Sequence, residues 1–257
     1  MIDTILILSS LIFAAIYPLV FWISVRDPLK NNFHKFHLGL PNFVGGIIVV
    51  VLLFRDIPLE IKIFLLCWKA TLLSFSKFYW KKAYPDPRLL TIPCLLGISS
   101  FILVQNQFIR TSLAINVVSV LSGFIFCAAI FAMNLGHWYL NVHGLPIDHL
   151  KRTVYCLGIF LGIKIVWDVY VLLTGTIFYQ GEILSLFAFT QTMEGFFLWV
   201  AIFFGNLFPL IALHFVKGTL EVKSTQSATG ILYVVLASIL IGDLTFKYYL
   251  IKYGVAL

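Results

Sequence analysis

The feature that most constrains this chain is a series of eight apolar stretches, each 16 to 24 residues long, separated by short polar segments. A helix that spans a membrane needs about 20 mainly apolar residues, so each stretch predicts one spanning helix. Only 11% of the residues are charged and 61% are hydrophobic, which excludes a water-soluble domain. The predicted segments are Thr4 to Ser24, Leu38 to Phe54, Glu60 to Trp80, Leu89 to Val104, Leu113 to Gly136, Val154 to Thr174, Glu194 to Val216 and Thr229 to Tyr249.

The fold class that follows is an all-α polytopic membrane protein, a bundle of about eight transmembrane helices that forms one integral membrane domain over residues 1–257. The second and fourth segments are the shortest, so seven helices is the alternative count. The second segment contains "LGLPNFVGG", in which Pro41 and the pair Gly45 and Gly46 weaken a helix. We therefore expect the second segment to be broken or partly re-entrant.

The distribution of Lys and Arg predicts how the helices are oriented, because positive charges concentrate in cytoplasmic loops. Eleven of these residues lie in or beside the first, third, fifth and seventh loops, and five lie on the opposite side. Both termini are therefore expected outside, in a bacterial inner membrane. The net charge of +7 is scattered over short loops, which favours lipid headgroups as partners and argues against nucleic acid.

With this topology all six histidines lie on the cytoplasmic side, and three of them fall within "MNLGHWYLNVHGLPIDHLKRT". His137 and His214 lie at the ends of the fifth and seventh helices, and both end at the same surface. Neutral imidazole is a common iron ligand, so this pair is the best choice for binding one b-type haem, with His34 or His37 as alternative partners. The competing interpretation is an ordinary belt of interfacial His, Trp and Tyr.

The segment "KSTQSATGILY" leads into the eighth helix on the same side. Its free backbone N–H groups can bind an anion or a carbonyl oxygen, and we expect Gln226 and Tyr233 to contribute to a cofactor or quinone pocket beside His137 and His214. The alternative is a plain helix start followed by small residues that allow close packing.

Charges within the apolar stretches are expensive in a membrane and usually mark a function. Lys164 and Asp168 lie four residues apart on one helical face, and Asp243 and Lys247 repeat that spacing. We expect the first pair to face the bundle interior and Lys247 to extend toward the outer surface. Lys164, Asp168, Asp243 and Glu194 then form a predicted proton pathway, unless the pairs only lock helices together or dock a partner subunit.

These features predict an integral membrane subunit of an electron-transfer complex that binds quinone or quinol. The subunit has room for at most one b-type haem, and the intramembrane charges form a proton route. The alternative is a small proton-coupled permease or carrier, which the absence of a convincing internal repeat disfavours. Protein partner subunits are expected in addition to lipids. No HExxH or GxSxG motif is present, which leaves open whether the chain is non-catalytic or reacts with quinone.

Overall fold

A computed structural model describes residues 1–23, 33–109, 111–142 and 145–257. Arg26, Lys30 and Arg110, which are among the Lys and Arg residues counted above, and His143 of the histidine-rich segment lie outside the described residues. The elements, in chain order, are α1 Ile2–Ile16 followed by a 3₁₀ turn Tyr17–Trp22, α2 Phe33–Leu53, α3 Leu59–Trp80, α4 Pro87–Phe108, α5 Leu113–Asn141, α6 Asp148–Thr174, β1 Thr176–Tyr179, β2 Glu182–Ser185, α7 Leu186–Phe189, α8 Met193–Ile202, a π-helical turn Phe203–Leu207, α9 Phe208–Glu221 and α10 Thr225–Tyr253.

Within the described residues, seven helices are long and apolar enough to cross a membrane. They correspond to seven of the eight predicted segments, so the described residues form a mainly helical structure with seven helices whose length and composition suit an integral membrane protein. The helix that falls outside this set is α3, although it is 22 residues long. Its sequence carries four charged residues, Glu60, Lys62, Lys69 and Lys77, which interrupt its apolar stretch.

The second and fourth segments form full-length helices of 21 and 22 residues. The prediction that α2 is broken is wrong, because the helix continues through Pro41. Proline cannot donate a hydrogen bond to the preceding turn, and polar side chains stabilise the backbone around it. The Asn42 side chain donates to the Leu38 carbonyl at 2.9 Å, and Lys69 of α3 donates to the Asn42 carbonyl at 2.5 Å.

The described chain divides into two compact units, one made of Leu6–Arg110 and the other of Met1–Ile5 with Thr111–Leu257. In the first unit, small residues bring α1 close to its neighbours. A Cβ atom added to Gly45 of α2 would lie 3.2 Å from the Ala14 Cβ, and one added to Gly97 of α4 would lie 2.8 Å from the Ala15 Cβ. Such small-residue contacts are typical of helices that pack within a bilayer.

The second unit contains α5 to α10, and α10 packs against both α5 and the α8–α9 segment, while α6 packs against α5 and α9. Helices α5 and α10 are antiparallel. Gly136 near the end of α5 meets Thr229 near the start of α10, where a Cβ on the glycine would lie 2.7 Å from the threonine hydroxyl. At the other end of the pair, Ser119 of α5 and Lys247 of α10 line one cavity.

A two-stranded antiparallel hairpin joins α6 to α7. Ile177 pairs with Leu184, and Phe178 pairs with Ile183. The two turn residues, Gln180 and Gly181, both have positive φ angles, 51° and 91°. A two-residue turn with two positive φ angles matches the twist of the flanking strands, so the hairpin follows from this Gln-Gly step.

Candidate functional site

The first feature of the site is a buried ion pair on α6. The Lys164 ammonium donates to Asp168 Oδ1 at 2.6 Å, and the two side chains are only 1% and 2% exposed. The prediction that this pair faces the bundle interior is confirmed. Each buried ion loses several kcal/mol of hydration, which only a close partner with further hydrogen bonds offsets.

A second buried ion pair lies on α10, where Lys247 donates to Asp243 Oδ1. The prediction that Lys247 extends toward the surface is wrong, because its side chain is 8% exposed and bonded within the helix bundle. The four-residue spacing places the carboxylate one helical turn away, where the Lys247 ammonium reaches it within the bundle.

Asn206 connects the α6 pair to the α8–α9 segment. Its side-chain amide donates a hydrogen bond to Asp168 Oδ2, and both groups are buried. Asp168 therefore has one oxygen bonded to Lys164 and the other bonded to Asn206. The sequence does not predict this contact, because the two residues lie 38 positions apart.

The π-helical turn Phe203–Leu207 presents Asn206 to α6. The Phe208 N–H donates to the Phe203 carbonyl five residues back, and the same pattern would require an N–H from Pro209 for the Phe204 carbonyl. Proline has none. Ser238 of α10 donates its hydroxyl to that carbonyl instead, which is how side chains repair helix irregularities inside a membrane.

The two ion pairs act on each other across the unit. Lys164 lies 4.1 Å from the centre of the Phe246 ring of α10, in a cation–π contact. Asp243 attracts the Lys164 ammonium and Lys247 repels it. The backbone of α10 approaches the π-helical turn closely, as shown by the 2.1 Å that would separate a Cβ atom on Gly242 from the Gly205 Cα. We call Lys164, Asp168, Asn206, Asp243 and Lys247 the charge cluster.

Two small cavities border the charge cluster. One of about 20 Å³ is lined by Ser119, Ser122, Asp243 and Lys247, together with apolar residues. A second of about 10 Å³ is lined by Lys164, Asn206, Asp243 and Ser122. A water molecule needs at least about 10 to 15 Å³ and two or more polar partners. The first cavity therefore has room for one water, and the second is at the lower limit.

Glu194, the remaining member of the predicted proton pathway, lies at the start of α8 and has partners of its own on α10. Lys252 donates to its carboxylate at 3.1 Å, and Tyr253 donates to the same oxygen. The Tyr249 hydroxyl donates to the Glu194 main-chain carbonyl. The carboxylate is 48% exposed, in contrast to the buried carboxylates of the charge cluster.

At the opposite end of α10, the structure brings together two residues of the predicted cofactor pocket. His137 Nδ1 lies 3.4 Å from the Tyr233 hydroxyl oxygen. The small Gly136 allows α5 to lie close to α10 at Thr229. Tyr233 lies one helical turn beyond Thr229, which brings its hydroxyl near His137. Gln226 is exposed in the first turn of α10, where its backbone N–H belongs to the free end of the helix.

The other predicted haem ligands have separate surroundings. His214 is exposed on α9, and its ring lies 6.0 Å from that of Phe215. His34 and His37 are buried in the first unit, where the Tyr17 hydroxyl is 2.7 Å from His37 Nδ1. Among the described residues, no group of three or more His, Cys, Asp or Glu side chains could hold a metal ion. Haem ligation by His137 and His214 remains a prediction.

Comparison of the chain with models of protein families, with curated proteins and with solved structures finds no match. The case for a function therefore rests on the charge cluster and on the contact between His137 and Tyr233.

Proposed function

We propose that the second unit conducts protons through the apolar layer and that the charge cluster is the route. The observation that carries this proposal is the burial of two lysine–aspartate pairs within one helix bundle, beside cavities of water size. Ionisable groups at membrane depth are rare and are usually found in proton and ion pathways. The proton route is common to the two functions that the sequence predicts, a redox subunit and a proton-coupled carrier.

The arrangement suggests how a proton would move. A proton that binds Asp168 neutralises its carboxylate and removes the closest counter-charge of Lys164. The next carboxylate that attracts Lys164 is Asp243, which is itself bonded to Lys247. A water molecule in the cavity lined by Lys164 and Asp243 would carry the proton from the Lys164–Asp168 pair to the Asp243 carboxylate. Asn206 keeps Asp168 oriented throughout.

A purely structural role fits these groups less well. Replacement of a buried ion pair by apolar residues of similar size is often neutral or stabilising by about 1 to 4 kcal/mol. Helix packing alone could therefore be achieved without the charges. The π-helical turn beside the charge cluster also favours a functional role, because such turns are frequent at functional sites.

The test is proton flux into vesicles that contain the purified protein, followed with an internal pH-sensitive dye under a potassium diffusion potential. We expect flux from the wild type and its loss in the double variant Lys164→Met with Asp168→Leu, which leaves no stranded charge. Glu182→Gln, an exposed carboxylate of β2, is the matched control and should conduct like the wild type. Wild-type flux from a correctly folded double variant would contradict the proposal.

A second proposal concerns redox coupling, and the contact between His137 and Tyr233 favours it. The imidazole N–H and the phenol O–H can each donate a hydrogen bond to a quinone oxygen, and the other imidazole nitrogen can accept one from a quinol hydroxyl. Gln226 lies near the start of the same helix. From the Lys and Arg asymmetry we infer that this end of α10 faces the cytoplasm and that both termini lie outside. We place the protein in a bacterial inner membrane, with lipids and a redox subunit as its partners.

A reduced-minus-oxidised absorption spectrum of the purified protein tests the haem part of this proposal. A b-type signal that disappears in His137→Ala and in His214→Ala would support the haem pair. Quenching of intrinsic tryptophan fluorescence by added ubiquinone, weakened in Tyr233→Phe, would support the quinone pocket alone. A spectrum without haem bands and quenching that Tyr233→Phe leaves unchanged would contradict the redox function.

A further inference from the structure

A cleft of about 490 Å³ lies between the start of α8 and the last turns of α10, and none of its lining residues belongs to the charge cluster. Met193, Phe197 and Leu244 supply apolar walls, and Thr245 and Tyr249 also line the cleft. The volume is within the range of about 300 to 1,000 Å³ found for small-molecule sites. From Leu244 to Lys252 the cleft follows α10 for about 12 Å at 1.5 Å per residue.

One end of the cleft is charged and the other is apolar. Glu194 and Lys252 form the charged end, with a 3.1 Å ion pair whose side chains are 48% and 37% exposed. Tyr248 also lines this end, and its hydroxyl lies 3.0 Å from the Lys252 ammonium. An ion pair this exposed contributes little to folding stability, so it remains available to exchange partners.

We propose that this cleft binds a phospholipid with a phosphoethanolamine headgroup. The lipid ammonium replaces Lys252 as the partner of the Glu194 carboxylate, and the phosphate accepts hydrogen bonds from the Lys252 ammonium and the Tyr248 hydroxyl. The first part of an acyl chain lies along Phe197 and Leu244. The proposal does not depend on proton conduction by the charge cluster.

Charge complementarity selects this headgroup over the common alternatives. A zwitterion satisfies both members of the Glu194–Lys252 pair, whereas an anionic phosphoglycerol headgroup pairs only with Lys252 and leaves Glu194 beside a phosphate. A choline ammonium has no N–H, so it cannot donate a hydrogen bond to the Glu194 carboxylate. The primary ammonium of ethanolamine can, and hydrogen bonds between charged groups are about twice as strong as neutral ones.

The experiment is native mass spectrometry of the delipidated full-length protein after addition of dioleoyl phosphatidylethanolamine, phosphatidylcholine or phosphatidylglycerol at equal concentration. We expect retention of phosphatidylethanolamine about tenfold or more above the other two. Glu194→Gln and Lys252→Gln should each abolish this preference. The matched charge controls Glu182→Gln and Lys217→Gln change exposed residues outside the cleft and should keep it.

A further variant separates lipid binding from folding. Thr245→Trp fills the apolar part of the cleft, leaves both rim charges in place and should reduce retention of all three lipids. Equal retention of the three lipids by the wild type, a preference for phosphatidylcholine or phosphatidylglycerol, or an unchanged preference in folded Glu194→Gln would each overturn the proposal.

Discussion

Asn206 donates a hydrogen bond to the buried carboxylate of Asp168 from within a π-helical turn. The contact gives Asp168 a second polar partner besides Lys164, and it ties α6 to the α8–α9 segment at the depth of the charge cluster. A carboxylate held by a cation and an amide donor keeps its orientation, which a proton acceptor in an apolar layer needs.

Asn206→Leu removes this donor while keeping most of the side-chain volume. Because one oxygen of a buried carboxylate then loses its partner, we expect the free energy of unfolding to fall by about 1 to 3 kcal/mol and proton flux to fall with it. Denaturation in detergent and the vesicle assay measure the two effects. Gln226→Leu changes an exposed amide and should stay within about 0.5 kcal/mol of the wild type. Equal stability of the two variants would show that the hydrogen bond from Asn206 to Asp168 does not stabilise the protein.

A double-mutant cycle tests the explanation given for the π-helical turn. Ser238→Ala leaves the Phe204 carbonyl without its donor and should destabilise the protein by about 0.6 to 2 kcal/mol. In a Pro209→Ala background, the new N–H at position 209 can donate to that carbonyl, so Ser238→Ala should then cost measurably less. The cycle is measured by chemical denaturation. Equal effects of Ser238→Ala in both backgrounds would contradict the proposed exchange of donors.

Much of the helical architecture could be predicted because it depends on local composition. An apolar stretch of membrane length predicts a spanning helix without knowledge of its neighbours. The pair Lys164 and Asp168 could be predicted for the same reason, since a four-residue spacing fixes a shared helical face. The burial of Lys247 was missed because a lysine can snorkel or pair, and the choice depends on surrounding helices that sequence alone does not provide.

The parts of the site that depend on contacts distant in sequence could not be predicted. The hydrogen bond from Asn206 to Asp168 and that from Ser238 to Phe204 each join different helices. A signal for the hairpin was present, because Gln180 and Gly181 directly follow Thr176–Tyr179, in which every residue is β-branched or aromatic. The high hydropathy of the whole chain concealed it.

Lys247→Met tests the buried position of the second ion pair. The variant removes the Lys247 ammonium from beside the buried Asp243 carboxylate, so we expect a loss of about 3 to 5 kcal/mol in the free energy of unfolding. The double variant Asp243→Leu with Lys247→Met should recover most of that loss. Lys217→Met, at an exposed position, is the control and should have little effect. A single variant as stable as this control would mean that Lys247 reaches solvent after all.

The close approach of α10 to the π-helical turn gives the last prediction. A Cβ on Gly242 would lie 2.1 Å from the Gly205 Cα and 2.5 Å from its nitrogen, so Gly242→Ala forces two backbones apart. We expect a loss of stability of about 1 to 3 kcal/mol or more, as for other overpacked cores, and a loss of proton flux because Asn206 moves away from Asp168.

Gly230→Ala, on the same helix, is the matched control for Gly242→Ala. A Cβ at position 230 meets no described atom within 4 Å, and alanine is favoured over glycine in a helix by up to about 1 kcal/mol. Gly230→Ala should therefore be neutral or stabilising in thermal unfolding and should conduct like the wild type. If Gly242→Ala unfolded at the same temperature as Gly230→Ala and kept full proton flux, the backbone contact between Gly205 and Gly242 would not position the charge cluster.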